Sequence, residues 1–258
     1  MLFHNLNRLI EASSAPLIKL WSHDDVMFPN CLEHGVRYAR EQPEVGYFYC
    51  NSDAIGTDGE VIELPPHDTT PLVMPREVAD RYSFLQGCLS DNIANLFFPR
   101  WVFDDVGMFK EDWIAADFDM QVRIQEKHPA GRIDEILVHV RRHAKQWSVA
   151  QDSYLRFMRE DLQIFDTLSR RMVHVHGTMS ESEVRAIRRR PLAYGYFHGA
   201  LRRLVRGQPE ASRELVRRVG ARESAILGLF WLRGLPTRIK RGNERKARVR
   251  ELAEQHSA

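Results

Sequence analysis

Cysteine is scarce: the 258 residues hold three, Cys31, Cys50 and Cys88. They are too few and too widely spaced for a disulfide framework or a CxxC metal knuckle, and a reducing compartment suits them best. Long hydrophobic runs are missing as well. The longest, AILGLFWL at 225–232, falls far short of the ~20 residues needed to span a bilayer. The opening residues, MLFHNLNRLIEASSAP, lack the basic-then-apolar order of a signal peptide. The expectation is a cytoplasmic protein, soluble or peripheral to a membrane. Composition is not skewed either, with 43% hydrophobic and 28% charged residues. That excludes wholesale disorder and a membrane bundle.

What is present is a hidden asymmetry of charge. The net charge of +2 divides into 14 Lys/Arg against 23 Asp/Glu over residues 1–150, and 23 against 12 over 151–258. The front is therefore at −9 and the rear at +11. An acidic front is compatible with a cation site, whereas a basic rear suits phosphates or acidic lipids, or is a solvated helical surface. Nucleic acid has only this charge in its favour and is the least favoured partner.

The hydrophobic pattern changes at the same place. Residues 4–13 read as a helix that stops before Pro16. LIKLW at 17–21 reads as a short buried strand, with Asp24 and Asp25 just beyond it. Pro29 can open a helix whose apolar stripe is Leu32, Val36 and Ala39. A strand over 45–50 returns as a hairpin through Thr57-Asp58-Gly59. The proline-rich stretch 65–75 is a loop and a candidate lid. Residues 75–86 read as helix, 93–98 as extended, 101–106 as a helical turn closed by Gly107, 116–127 as helix and 132–140 as a last strand. Beyond 150 the pattern is almost wholly helical, with a capping box at Ser180-Glu-Ser-Glu183. The expectation is an α/β domain over 1–150 and a basic helical region over 151–258.

Two acidic constellations carry chemistry. Ser22-His23-Asp24-Asp25 follows a strand at its carboxyl end, where ligands of α/β sheets collect. Paired carboxylates there can hold a divalent cation against diphosphate oxygens, or can simply cap the next helix. Asp117 lies at the start of the helix over 116–127, where a carboxylate can serve as general base or as a cap.

Four segments occur in an order that resembles the family 2 glycosyltransferases of the GT-A fold. IKLWSHDDVMFPNCLE at 18–33 is similar to that family's strand, DxD-type loop and helix. Residues 45–61 are similar to its next strand and D-x-x-G hairpin, and 106–123 to its "vG-x-f…eDwdlxlR" segment. ILVHVRRHAKQWS at 136–148 is similar to its closing "lvxyRxHxxxxS". The resemblance implies a mixed sheet flanked by helices and transfer of a sugar, with inversion, from a nucleotide-sugar donor to a saccharide, lipid-linked or protein acceptor. It implies Asp24 as ligand of Mn²⁺ or Mg²⁺, with Ser22, His23, Asp25 and His143 around the donor phosphates. Asp117 falls on the catalytic base. Ser22 replaces the first Asp of the DxD-type motif, and Ala116 replaces a common Glu. The family's N-terminal strand–helix units, which hold the base and ribose, have no counterpart before residue 3, so an incomplete GT-A sheet is expected. The competing expectation is an inactive remnant that binds a partner or a membrane surface through its basic tail, using Arg188-Arg-Arg190, Arg238-Ile-Lys-Arg241, Phe230 and Trp231.

Overall fold

A computed structural model describes residues 2–65, 70–143, 151–192 and 198–205, with isolated positions from 207 to 232. The elements of its first part, in chain order, are helix α1 (Leu2–Ala12), strands β1 (Leu17–Lys19) and β2 (Val26–Met27), helix α2 (Cys31–Glu41), strands β3 (Tyr47–Ile55), β4 (Val61–Glu63) and β5 (Val73–Met74), and helix α3 (Arg76–Gln86). Strand β6 (Leu96–Pro99), helices α4 (Trp101–Val106) and α5 (Ala116–Gln125), strand β7 (Ala130–Arg141) and helix α6 (Gln151–Arg170) follow. The strands form one mixed sheet in the order β1-β6-β3-β7-β2, with β4 on β3 and β5 on β7. The fold is mixed α/β.

Strand β3 explains how the sheet acquires two apolar faces. Side chains alternate along a strand, and here Tyr47 and Tyr49 enter one buried cluster while Phe48 and Cys50 enter the other. The first cluster is closed by Phe3 and Ile10 of α1, Phe103 of α4 and Met120 and Ile124 of α5. The second is closed by α2 through Cys31, with Tyr38 and Ala39 packed against it. The expected stripe of α2 is corrected here. Leu32 and Val36 are exposed, whereas Cys31 and Gly35 are buried. The helix turns its smallest residue to the sheet because Phe97, stacked on Phe48 at 5.0 Å between ring centres, fills the space beneath it.

Other expectations meet the structure closely. Gly59 turns the β3–β4 hairpin with φ of +91°, and Gly107 closes α4 with φ of +79°. Both are conformations that a side chain disfavours. Ala116, Met120 and Ile124 form the wholly buried side of α5. β1 is shorter than its apolar run, since its ladder with β6 covers only Leu17 to Lys19. It stands at the end of the strand order, with β6 as its neighbour. Of the expected loop over 65–75, residues 66–69 lie outside the described residues, and Val73–Met74 form β5.

The first compact unit runs to His176. Helix α6 therefore belongs to this unit, on α3 and α5, although the basic helical region was expected from residue 151. Phe165 meets Phe84 of α3 and Phe118 of α5 at 6.5 and 5.9 Å. A π-helical turn over Arg171–Val175 ends this helix. There Arg171 bridges buried Asp80 at 3.1 Å and Glu126 at 2.8 Å, while His176 holds the other Asp80 oxygen at 2.9 Å. The second unit, from Gly177, contains α7 (Glu181–Leu192) and α8 (His198–Val205). The Ser180–Glu183 capping box is formed, with Glu183 N–H donating to Ser180 Oγ and Ser180 N–H to Glu183 Oε2. Phe230, Trp231 and residues 238–241 lie outside the described residues, as do residues 144–150. Among the described residues, no helix is long and apolar enough to cross a membrane.

The contact between α2 and the sheet yields a direct test. A Cβ on Gly35 would lie 2.3 Å from the Phe97 ring, which is pinned by Phe48 and wholly buried. Gly35→Ala should cost about 1–3 kcal/mol, as overpacked cores do, read as a lower denaturant midpoint at unchanged slope.

Candidate functional site

The loop after β1 and the end of β7 meet, although more than a hundred residues separate them in sequence. Asp25 Oδ1 accepts the Arg141 N–H at 2.9 Å. The Arg141 guanidinium donates from Nε to the Asp24 carbonyl at 2.9 Å, and from one amino group to the carbonyls of Gly56 and Thr57 at 2.8 and 3.0 Å. One arginine thus latches the acidic loop to both the last strand and the β3–β4 hairpin. His143 Nε2 lies 3.0 Å from Asp24 Oδ2, and Ser22 Oγ donates to Asp24 Oδ1. His23 is exposed.

This geometry decides between the two roles open to the acidic pair. Neither Asp24 nor Asp25 caps α2; its N-cap is Asn30, which makes no side-chain capping bond. The carboxylates are instead engaged within the loop and with β7. Burial works to raise the Asp24 pKa, but the hydrogen bonds to Ser22 and His143 outweigh it and hold the group below its ordinary value. Burial raises Asp25, with the Arg141 N–H opposing and the Asp24 charge adding to the rise. Nearby, His139 Nδ1 meets buried Asp53 at 2.5 Å and its ring packs tilted on Phe28 at 4.4 Å, which stiffens β7 just before Arg141.

Asp117 belongs to a different set of neighbours. It sits in the first turn of α5 behind Ala115, the N-cap, and its Oδ1 accepts the Phe118 N–H at 2.9 Å. Burial pushes its pKa up to about 6, with the Phe118 N–H opposing. Glu160 of α6 holds the backbone just ahead of α5. Its Oε2 accepts from Ile114 N–H at 2.6 Å and Ala115 N–H at 2.8 Å.

A segment between α3 and β6 touches both constellations. Gln121, one turn along α5 from Asp117, donates from Nε2 to Ser90 Oγ at 3.1 Å and to the Asp117 carbonyl at 3.3 Å. Burial, and then the Asp117 charge, raise the Cys88 thiol to about 12. Asp91, held at φ of +57°, pairs with Arg142 at 3.3 Å. Such a conformation is uncommon outside glycine, and Asp is among the residues that tolerate it best.

No family model matches the chain, and no curated protein matches it.

The structure thus brings Ser22, Asp24, Asp25 and His143 together, leaves His23 at the surface and gives Asp117 a separate setting. Residue order did not single out Glu160, Asp161 or Asp91, and it gave Arg141 no role beyond its place in the segment 136–148. The available signal was an acidic pair, Glu160-Asp161, within an otherwise basic rear half. Removing the Glu160 carboxyl would orphan two backbone donors. Glu160→Ala should cost about 2–6 kcal/mol, since each of the two buried unpaired donors costs about 1–3. Glu160→Gln, whose amide oxygen still accepts, should cost less; chemical denaturation reads both.

Proposed function

We propose that this chain is a metal-assisted, inverting glycosyltransferase that moves a sugar from a nucleotide-sugar to an acceptor hydroxyl. The observation that carries the reading is the junction of Ser22–Asp25 with Arg141–His143, in which Asp24 and His143 face each other at 3.0 Å. The resemblance to family 2 glycosyltransferases expects these two segments to share the donor site. A half-buried carboxylate kept ionised, beside an imidazole and a hydroxyl, suits contact with a cation and phosphate oxygens.

The donor set fits Mn²⁺ or Mg²⁺ only as a partial site. Among the described residues no group of three or more His, Cys, Asp or Glu is arranged to hold a metal. Mg²⁺ commonly takes one or two carboxylates and completes its shell with water and substrate phosphates, so few protein ligands suffice. Asp24 would be the carboxylate ligand, with His143 and Ser22 orienting it, and the bound cation would offset charge on the departing diphosphate.

Asp117 supplies the base. Its carboxylate takes the acceptor O–H proton as that oxygen bonds to the anomeric carbon. The bond from that carbon to the donor phosphate breaks, and the diphosphate leaves with the electron pair. Attack opposite the leaving group inverts the anomeric centre. A pKa near 6 suits this task, since the group is ionised at neutral pH yet basic enough to accept a proton.

The second reading, an inactive remnant acting through its basic tail, is separated from the first by assay. Transfer from a panel of nucleotide-sugars with Mn²⁺ or Mg²⁺ should fall about 10²–10⁴-fold in Asp117→Asn, the usual contribution of a general base. Nucleoside diphosphate binding measured by calorimetry should persist in that variant. Asp24→Ala should lose the metal-dependent part of that binding. In the wild type, kcat should fall as pH drops through about 6, where Asp117 takes up a proton. Full turnover in both variants would refute the residue roles, and liposome binding without nucleotide binding would favour the remnant.

A further inference from the structure

Among the described residues, α2 is the one α-helix packed on the second apolar cluster of the sheet. Its inner side, Cys31 and Gly35 with Tyr38 and Ala39, is taken up by that contact. The outer side is a stripe of Leu32, Glu33, Val36, Arg37, Arg40 and Glu41, which helical spacing places on one face. These residues line an open groove of about 540 Å³. Leu32 is 52% exposed and Val36 39%.

The charges of this stripe cancel, with Glu33 and Glu41 against Arg37 and Arg40. A partner of one sign, such as an acidic lipid surface, would be repelled by half of them. Arg37 is engaged at its own edge, 3.2 Å from His34 and 4.0 Å from Glu135. Glu33 and Arg40 have no ion pair among the described residues. They stand seven positions apart, about 10 Å along the helix axis, which is too far for them to pair with each other. A second α2 running the opposite way would present Arg40 to Glu33 and Glu33 to Arg40.

We propose that the outer face of α2 docks a second copy of this chain, the two helices lying antiparallel about a two-fold axis between Val36 and Arg37. Glu33 and Arg40 are equidistant from that axis, so the contact closes on itself with two reciprocal ion pairs. Val36 lies beside the axis and meets its symmetry mate, which excludes water between the pairs. Helix α2 has 11 residues and is about 16 Å long. A contact of that length stays below roughly 1,200 Å², the class of weak association that depends on concentration. The helices on the first cluster, α1, α4 and α5, lie across the sheet and take no part. Pairing of this kind does not depend on any catalytic role of the chain.

Sedimentation equilibrium of the full chain, from about 1 to 300 µM, reads this directly. The mass should climb with concentration from 30.1 kDa toward twice that value, and fall back as salt rises from about 0.05 to 0.5 M and screens the exposed pairs. Glu33→Arg and Arg40→Glu each set like charges opposite one another, and each alone should weaken dimerisation about tenfold or more. Mixed together, the two variants should recover it, because each supplies the charge that the other lacks. Both changes in one chain should recover it too, and Val36→Asp should abolish it. The changed side chains are exposed, so an unaltered denaturant midpoint confirms that each variant is folded. A chain that stays at 30.1 kDa at every concentration overturns the proposal. So does a dimer indifferent to the single reversals, or one that mixing does not restore. Flotation with acidic-lipid vesicles is the companion measurement: a monomeric chain whose vesicle binding is lost in Val36→Asp gives this face to a lipid surface and overturns the pairing.

Discussion

The double pairing of β3 is the constraint on which the rest of the first unit depends. This strand is antiparallel to β6 and parallel to β7, so it is hydrogen-bonded on both sides and covered on both faces. A strand in that position can expose no polar side chain until it leaves the core, and Tyr47 to Cys50 accordingly form an unbroken buried run. Only farther along, from Asn51 to Asp53, do polar groups enter, and there the parallel register with β7 shifts. The sheet is apolar at one end and able to carry charge at the other. The acidic loop and the end of β7 occupy the charged end.

Arg141 converts that arrangement into a site. It lies at the last position of β7, where the strand no longer needs its side chain for packing. Its guanidinium has five donors in a fixed fork, enough to tie the Asp24 carbonyl and the β3–β4 hairpin carbonyls at once. The backbone N–H of the same residue serves Asp25. The Asp24 side chain is thereby freed for Ser22 and His143, which keep it ionised. Loss of Arg141 would release the loop from two neighbours at once, so the electrostatics of Asp24 depend on a residue that does not bond to its carboxylate.

Buried charge elsewhere has a different character. The Asp80–Arg171–His176–Glu126 network seals the far end of α6 against α3 and α5, and each member has a partner. Pairs of this kind hold geometry more than they add stability, because desolvation offsets much of their attraction. Asp117 and Asp161 are the contrary case, carboxyls raised by burial with little to compensate them. Groups left in that state mark places where protons are handled more often than places where structure is held.

Because periodicity, glycine turns and proline stops act locally, residue order by itself determined most of the alternation of strands and helices, though not the two-residue strands β2 and β5. The helix read at 116–127, the hairpin at Gly59 and the capping box at Ser180 needed no distant residue to be predicted. Sequence also picked out Asp24, Asp25, Asp117 and His143 as the groups able to carry chemistry. Tertiary structure decided everything that depends on who stands opposite. It turned Gly35 rather than Leu32 toward the sheet, since only a missing side chain fits over Phe97. It took the helix over 151–170 out of the basic tail, since Phe165 and Glu160 find their partners on α3 and α5. It also decided that Asp24 and Asp25 bind β7 and do not cap α2, because Arg141 and His143 reach that loop only when the sheet closes.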